Sequence, residues 1–315
     1  MFFYLLKRLF SIVITLFIAS VLIFSITQLL PGDVAQMILG QHATPETLAA
    51  LRVKLGLNDP AYQRFFMWLA GVFRGDLGES LSISGVRISD LLIDRSENSF
   101  FLAFIASVIV IPISLAFGAW AGINKGKFID KLISLSSMVA ISIPEFVSGI
   151  LFILVFSLWL GVLPSASSID PNLPLWMQLD AVVLPIMTLS LVLLGYIVRM
   201  TRASVIDSAS SNYVKTALFK GLSDNQIIVR HILPNALIPS ITVIAMNVGW
   251  MIGGLVVVET VFAFPGLGSL LLYAIVQRDV TLIQNTSLLV VTVYMFLNLL
   301  ADILYMFVNP RIRYQ

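Results

Sequence analysis

NYVKTALFKGLSDNQIIVRHILPNALIPS, residues 212–240, breaks the pattern of the chain around it. Apolar runs flank it on both sides, yet it carries Lys215, Lys220, Arg230 and His231 and is interrupted by Gly221-Leu222-Ser223-Asp224. Reading it as a bilayer span fails on cost, because each cation near a bilayer centre costs ~2.5–3.5 kcal/mol. Reading it as a floppy connector fails on composition. Residues 203–219 contain neither proline nor glycine and place Val205, Ala209, Tyr213, Ala217 and Lys220 at helical spacing. After Gly221, Ser223 or Asp224 caps a second short helix running through His231, which Pro234 ends. The spacing thus predicts two short helices meeting at a glycine. Such an element either fits a groove on another protein or lies on lipid headgroups through its basic residues.

The sequence around it is mostly apolar. Of 315 residues, 58% are hydrophobic and 11% charged, and the mean hydropathy is +0.97. Soluble domains carry about 25% charged residues, so this is a polytopic membrane protein. There is no cysteine, hence no disulfide, thiolate metal site or cysteine nucleophile. The two histidines, His42 and His231, are far apart, which argues against a histidine metal or haem site, and a net charge of +2 is too small to suggest nucleic acid. Spans need ~20 apolar residues, and six segments qualify: 9–30, 99–123, 132–160, 181–198, 236–258 and 285–308. Lys7 and Arg8 precede the first, but its length and the lack of a small-x-small cleavage site make it a retained span.

Basic residues set the orientation. Lys7, Arg8, Lys125, Lys127, Lys131, Arg199, Arg202, Lys215, Lys220, Arg230, Arg311 and Arg313 fall on one side, while loop 161–180 has no basic residue and 259–284 has only Arg278. Both termini and the opening stretch are therefore expected in the cytoplasm. The connection 31–98 carries six basic and eight acidic residues, but it is long enough to be translocated regardless of charge. Its pattern predicts helices beginning at Thr44-Pro45-Glu46 and at Asp59-Pro60, a glycine-punctuated turn at RGDLGES (74–80), and a third short helix in SGVRISDLLIDR leading to the second span. The expected partition is a first span within 1–30, an extracytoplasmic helical loop at 31–98, a five-helix core at 99–308 holding the cytoplasmic loop 199–235, and a tail at 309–315.

The opening stretch resembles the cytoplasmic loop of bacterial ABC importer permeases, whose pattern is Glu-Ala-Ala, three residues, Gly, nine residues, Ile-x-Leu-Pro. Ala217, Gly221, Leu233 and Pro234 fit, whereas Lys215, Thr216 and His231 depart. The departures resemble the peptide/nickel branch, which reads Tyr-x-x-x-Ala-x-x-x-Gly and Arg-His-x-Leu-Pro-Asn-Ala; Tyr213-Ala217-Gly221 and Arg230–Ala236 match it. LLPGD (29–33), LGLNDP (55–60), GDLGES (75–80), ISIPEF (141–146), LPIMTLS (184–190), RMTRASVID (199–207), VFAFPGLGSLL (261–271) and NPRIR (309–313) extend the likeness along the chain.

The resemblance implies an all-α, six-span permease of the type I importer fold in the bacterial inner membrane. It implies a homologous second permease, two cytoplasmic ATPase subunits and an extracytoplasmic substrate-binding protein. Tyr213, Ala217, Gly221, Arg230, His231, Leu233 and Pro234 would then be the coupling residues that meet an ATPase. The chain holds no Gly-x-x-x-x-Gly-Lys-Ser/Thr, so it cannot cradle ATP phosphates in the usual way. No cofactor is expected on it, and ATP and Mg²⁺ belong to the partner subunits. The expected cargo is a di- or oligopeptide, with nickel, glutathione and oligosaccharides as alternatives sharing the pattern.

Glu145 and Asp302 are the acids set furthest inside spans, and intramembrane carboxylates are functional candidates. Glu145 follows Pro144 in an over-long third span, which that proline should kink; it either lines the pathway, meeting an amine or cation, or is protonated or hydrogen-bonded between helices. Asp302 reads as a structural pair near the inner end of the sixth span. Gly249 and Gly253 have small-xxx-small spacing for helix packing. Phe264, Pro265, Gly266 and Gly268, in FPGLG, allow a dip toward the membrane, and the resemblance places them near the outer gate. Two classes compete. An intramembrane serine protease needs a histidine base within the bilayer, and both histidines lie outside the spans. A channel or ion-driven carrier needs no nucleotide motif; co-purification of ATPase subunits separates it from an ABC permease.

Overall fold

The computed structural model describes residues 2–29, 34–39, 43–54, 56, 58–170 and 173–308. His42, residues 30–33 of LLPGD and the whole 309–315 tail with NPRIR lie outside the described residues. In chain order the helices are α1 (Phe2–Gln28), α2 (Val34–Leu39), α3 (Pro45–Lys54), α4 (Ala61–Arg74), α5 (Ile88–Ile123), α6 (Phe128–Ser142), α7 (Glu145–Phe152), α8 (Leu179–Ala209), α9 (Asn212–Phe219), α10 (Asp224–Ile227), α11 (Leu233–Val261), α12 (Leu267–Val276) and α13 (Val280–Val308). Wider π turns follow α7 at Ile153–Trp159 and join α10 to α11 at Ile228–Ile232.

Among the described residues, five helices are long and apolar enough to cross a membrane, and α6 with the α7 segment makes a sixth only as a bent pair. Here the third segment departs from expectation: its two arms meet at 106°, a break rather than a kink. The reason is local. The residue before a proline is pushed out of the helical region, and Ile143 (ψ 122°) and Pro144 (ψ 143°) are both extended. The opposite departure occurs in α5. The separate short helix expected in 84–95 is the first part of one 36-residue helix, because no glycine or proline interrupts Ile88–Val110. The helix starts at Pro45 and Ala61 fall where the capping pattern puts them; the Thr44 hydroxyl accepts from the Thr47 N–H at 3.2 Å.

The chain forms two compact units: residues 1–98 with 265–293, and residues 99–264 with 294–315. In the first, Ile88 and Leu92 bury against Leu267, Leu270, Ala274 and Leu282. Polar hooks fasten the same unit. Trp68 Nε1 donates to Asn285 Oδ1 at 3.2 Å, Gln284 Nε2 to Thr27 Oγ1 at 2.7 Å, and Asn98 Nδ2 to the Pro265 carbonyl at 2.8 Å. Asp279 is the strongest hook. One oxygen accepts from the Ser80 hydroxyl (2.6 Å), the Leu81 and Ser82 N–H groups (2.8 and 3.0 Å) and the Ser82 hydroxyl (2.9 Å). Its other oxygen accepts from the Leu282 N–H at 3.0 Å, capping α13. Hydrogen bonds to charged groups contribute ~1.5–3 kcal/mol each and are not additive. Asp279→Ala is therefore expected to release the 79–87 segment, and trypsin should cut after Arg87 at least several-fold faster than in the parent. An unchanged cutting rate would show that the apolar contacts of Ile88 suffice.

In the second unit, α8 is the central helix. Val182, Leu189, Leu193 and Ile197 pack with Leu102, Val110, Leu255 and Phe262 in one core. Three glycines permit the close approach. A Cβ added at Gly118 would lie 2.6 Å from Thr201 Cβ and 2.8 Å from the Val198 carbonyl oxygen; one at Gly122 would lie 2.7 Å from Val205; one at Gly195 would lie 2.6 Å from Ile141 Cγ1 and 2.8 Å from the Ser137 carbonyl oxygen. Of the stripe expected to pack helices, Gly249 faces Asn298, Gly253 faces open space and Gly254 faces Glu145.

Candidate functional site

The basic insert folds as an elbow on the second unit. The uninterrupted helix expected over 203–219 is broken at Ser210-Ser211. The Ser210 hydroxyl donates to the Asp207 carbonyl at 2.9 Å and that of Ser211 to Ser208 at 2.6 Å, side-chain bonds that compete with helical continuation. Ala209 thus ends α8 while Tyr213 sits in α9. The first helix of the elbow closes as a Schellman motif, with the Gly221 N–H on the Leu218 carbonyl (2.9 Å) and the Leu222 N–H on that of Ala217 (3.3 Å). This closure puts Gly221 at φ +78°, the left-handed conformation that glycine adopts without strain. Ser223 then opens α10, its N–H held by Gln226 Oε1 at 3.1 Å. Pro234 does not end the second helix. It lies in the first turn of α11, where the π turn before it has already shifted the hydrogen-bond register and no N–H is required. The elbow therefore runs straight into the next apolar helix.

Burial sorts the expected coupling residues into two faces. Ala217 is 5% exposed and packs with Val205, Val214, Ile227, Ile232 and Ala236; Leu233 lies against the same cluster. Tyr213, Gly221, Arg230 and Pro234 are exposed, and His231 is half-buried. The outward face also carries apolar side chains that spacing alone did not single out. Phe219 is 91% exposed, and Leu218 and Val229 stand out beside Lys215, Lys220 and Arg230. The signal was present in sequence as apolar residues off the buried register of α9, but the break at Ser210-Ser211 had to be known to fix that register.

Two buried carboxylates carry no local signature in the sequence. Asp130 of α6 accepts from Arg202 Nε, from Arg202 Nη2 at 2.9 Å, from the Gly126 N–H at 2.8 Å and from the Ser134 hydroxyl at 3.2 Å. This fork fastens the 124–127 turn to α8, close in sequence to the elbow. Glu259 is fully buried in α11 and accepts from the Ser99 hydroxyl at 2.5 Å. Both pair residues more than 70 positions apart, a separation that periodicity does not report.

Of the expected gate residues, Phe264 is fully buried in the core of the second unit. Its N–H donates to the Glu259 carbonyl at 2.8 Å, the Ser167 N–H donates to that of Phe262 at 2.8 Å, and Ala263 between them has φ +51°. In the first unit, Pro265 accepts from Asn98, while Gly266 and Gly268 are buried at the start of α12. Glu145 opens α7, half-buried, with its carboxylate against Gly254. No group of three or more metal-ligating side chains occurs among the described residues.

Comparison with known proteins places this architecture. The pattern of the family described as binding-protein-dependent transport system inner membrane component matches residues 114–314, and that of its N-terminal region matches residues 1–84. The chain belongs to this family. It is 36% identical over 314 residues to a probable peptide ABC transporter permease protein of Sinorhizobium fredii, covering 99% of both chains. It is also 36% identical over 312 residues to the glutathione transport system permease protein of Escherichia coli, again covering 99% of both. Among solved structures, the inward-facing MetNI methionine ABC transporter matches with a TM-score of 0.56 at 18% identity, over 70% of this chain and 96% of that one. The fold is thus that of a type I importer permease. The chain is a multi-pass membrane permease of an ABC importer, a transport subunit rather than an enzyme, and it works with an ATPase and a binding protein.

Proposed function

We propose that this permease forms half of the pathway by which di- or oligopeptides, delivered by an extracytoplasmic binding protein, enter a bacterium across its inner membrane. The carrying observation is likeness over 99% of the chain to permeases named for peptide and glutathione transport, both peptide-like cargoes with a free ammonium and carboxylate. A homologous second permease supplies the other half. Two cytoplasmic ATPases bind ATP and Mg²⁺, and both termini of this chain lie on their side. The elbow at Tyr213–Pro234 docks on one of them. The geometry supports this role through division of labour: Ala217 and Leu233 hold the elbow to its own unit, while Phe219, Leu218 and Tyr213 present an apolar face ringed by Lys215, Lys220 and Arg230. Its complement is an apolar cleft with acidic edges. The FPGLG turn is the gate segment, held closed in shape by the backbone bonds at Phe262 and Phe264.

The test is uptake by cells lacking this chain and any redundant importer, given labelled dipeptide, glutathione, Ni²⁺ or oligosaccharide. Dipeptide uptake is expected to fall at least about tenfold and to return with the gene. Unimpaired peptide uptake alongside lost uptake of another cargo would overturn the peptide assignment and leave the importer architecture standing.

A further inference from the structure

Among the described residues, the fully buried carboxylates are furnished with donors, whereas that of Glu145, half-buried, is not. Asp130 has the Arg202 fork, the Gly126 N–H and the Ser134 hydroxyl; Asp279 has two hydroxyls and three N–H groups; Glu259 has the Ser99 hydroxyl. Glu145 is half-buried in an apolar helix pair, and its carboxylate receives no hydrogen bond and no ion pair from any described residue. The charge is costly there; among the described residues the N-terminal end of α7, whose first turn holds Glu145, favours it, but no donor or cationic side chain meets it.

The surroundings are shaped around the bare carboxylate. Its two oxygens lie 2.6 and 2.7 Å from where a Cβ at Gly254 would be, so any larger residue there displaces the carboxylate from this position. Gly253, the next residue of α11, faces open space. The carboxylate also begins α7 just after the extended Ile143-Pro144 break, where the two arms turn through 106°. An acid without a partner among the described residues, at a break in membrane-embedded helices, is arranged for a cation that arrives and leaves.

Resting on the import reading above, we propose that Glu145 is a cargo subsite: its carboxylate receives the positively charged group of the transported molecule, the α-ammonium of a peptide, as that molecule passes the bend. Gly254 is the positioning residue: without a Cβ it leaves the space that the carboxylate occupies. The chemistry is shared by an ammonium and a metal cation, and the two are separated experimentally.

The complete transporter, with its ATPases, second permease and binding protein, is reconstituted in liposomes. Uptake of a labelled dipeptide and of Ni²⁺ is measured beside ATP hydrolysis stimulated by the loaded binding protein. Glu145→Gln, which keeps the shape and removes the charge, is expected to lower dipeptide uptake per ATP hydrolysed about tenfold, with stimulated hydrolysis within twofold of the parent. Glu145→Asp should retain at least a third of the uptake. Gly254→Ala should lower uptake in the parent yet add little in a Glu145→Ala background, because the clash it creates is with the carboxylate. A tenfold loss confined to Ni²⁺ would assign the subsite to a metal cation instead of an ammonium. Parental uptake by Glu145→Gln would overturn the proposal. So would loss of the second permease from purified Glu145→Gln complexes, which would make the carboxylate an intersubunit pair. Failure of the parent transporter to take up dipeptide would count against the peptide reading, not against Glu145.

Discussion

Membranes carrying Gly195→Leu are expected to contain no more than about a fifth of the parental protein. A Cβ alone at this position meets Ile141 Cγ1 at 2.6 Å and the Ser137 carbonyl oxygen at 2.8 Å. The first obstacle is a side chain that can turn; the second is helix backbone that cannot. Overpacking costs typically ~1–3 kcal/mol and more when backbone must shift, against a total stability of ~5–15 kcal/mol. Destabilisation on that scale lowers abundance several-fold. The two obstacles separate experimentally. Ile141→Ala in the same chain removes the first alone, so it should restore only part of the protein level. Full restoration would show that backbone contact is not limiting, and normal abundance of Gly195→Leu by itself would refute the packing described for α6 and α8.

The second large effect is expected at Phe219. Its side chain is 91% exposed, so Phe219→Ala removes almost nothing from the fold. If the elbow docks on an ATPase, truncating a central aromatic anchor costs about 2 kcal/mol or more, which is roughly a 30-fold loss of association. ATPase co-purification and uptake should both fall on that scale while the membrane level stays normal. Gly221→Arg should act in the same direction through the backbone, since φ +78° strains any other residue by ~1–3 kcal/mol. Open space surrounds Gly221, so no clash within the chain contributes. Ala217→Glu should behave differently: its charge would enter the elbow's own core, and protein level should drop together with coupling. Normal ATPase retention in Phe219→Ala would refute docking through this face and favour an elbow resting on lipid headgroups.

What was legible in the sequence follows physical range. Apolar runs of about 20 residues announce membrane helices directly, and α1, α5, α8, α11 and α13 lie where they should. The helix starts at Pro45 and Ala61 and the turn at Gly221 are written in adjacent residues, so they too can be read. The break in the third segment is not legible, because hydropathy does not distinguish a kinked span from two arms at 106°; only the extended backbone at Ile143-Pro144 does. The place of Pro234 is ambiguous in sequence, because proline ends a helix or sits in its first turn depending on the residues before it. The buried face of α9 is set by the break at Ser210-Ser211, which resets the helical register that 203–219 would have as one helix. The Asp130–Arg202 fork and the Asp279 hook depend on tertiary approach, and no local pattern encodes them.

The join between α10 and α11 has a mechanical consequence. From Asp224 to Val261 the chain is helical without a gap, passing through the π turn at Ile228–Ile232 and the missing donor of Pro239. At ~1.5 Å per residue this is a strut of roughly 55 Å. Non-helical joints flank it, at Gly221–Ser223 on one end and Phe262–Gly266 on the other. In a linkage of stiff members, displacement applied at one end of a strut reappears at the other as rotation about whatever fulcrum it touches, and bending is confined to the joints. A push delivered beside Ser223, however, would bend the strut first at the π turn and at Pro239, and what passes them would reach the turn that contains Ala263.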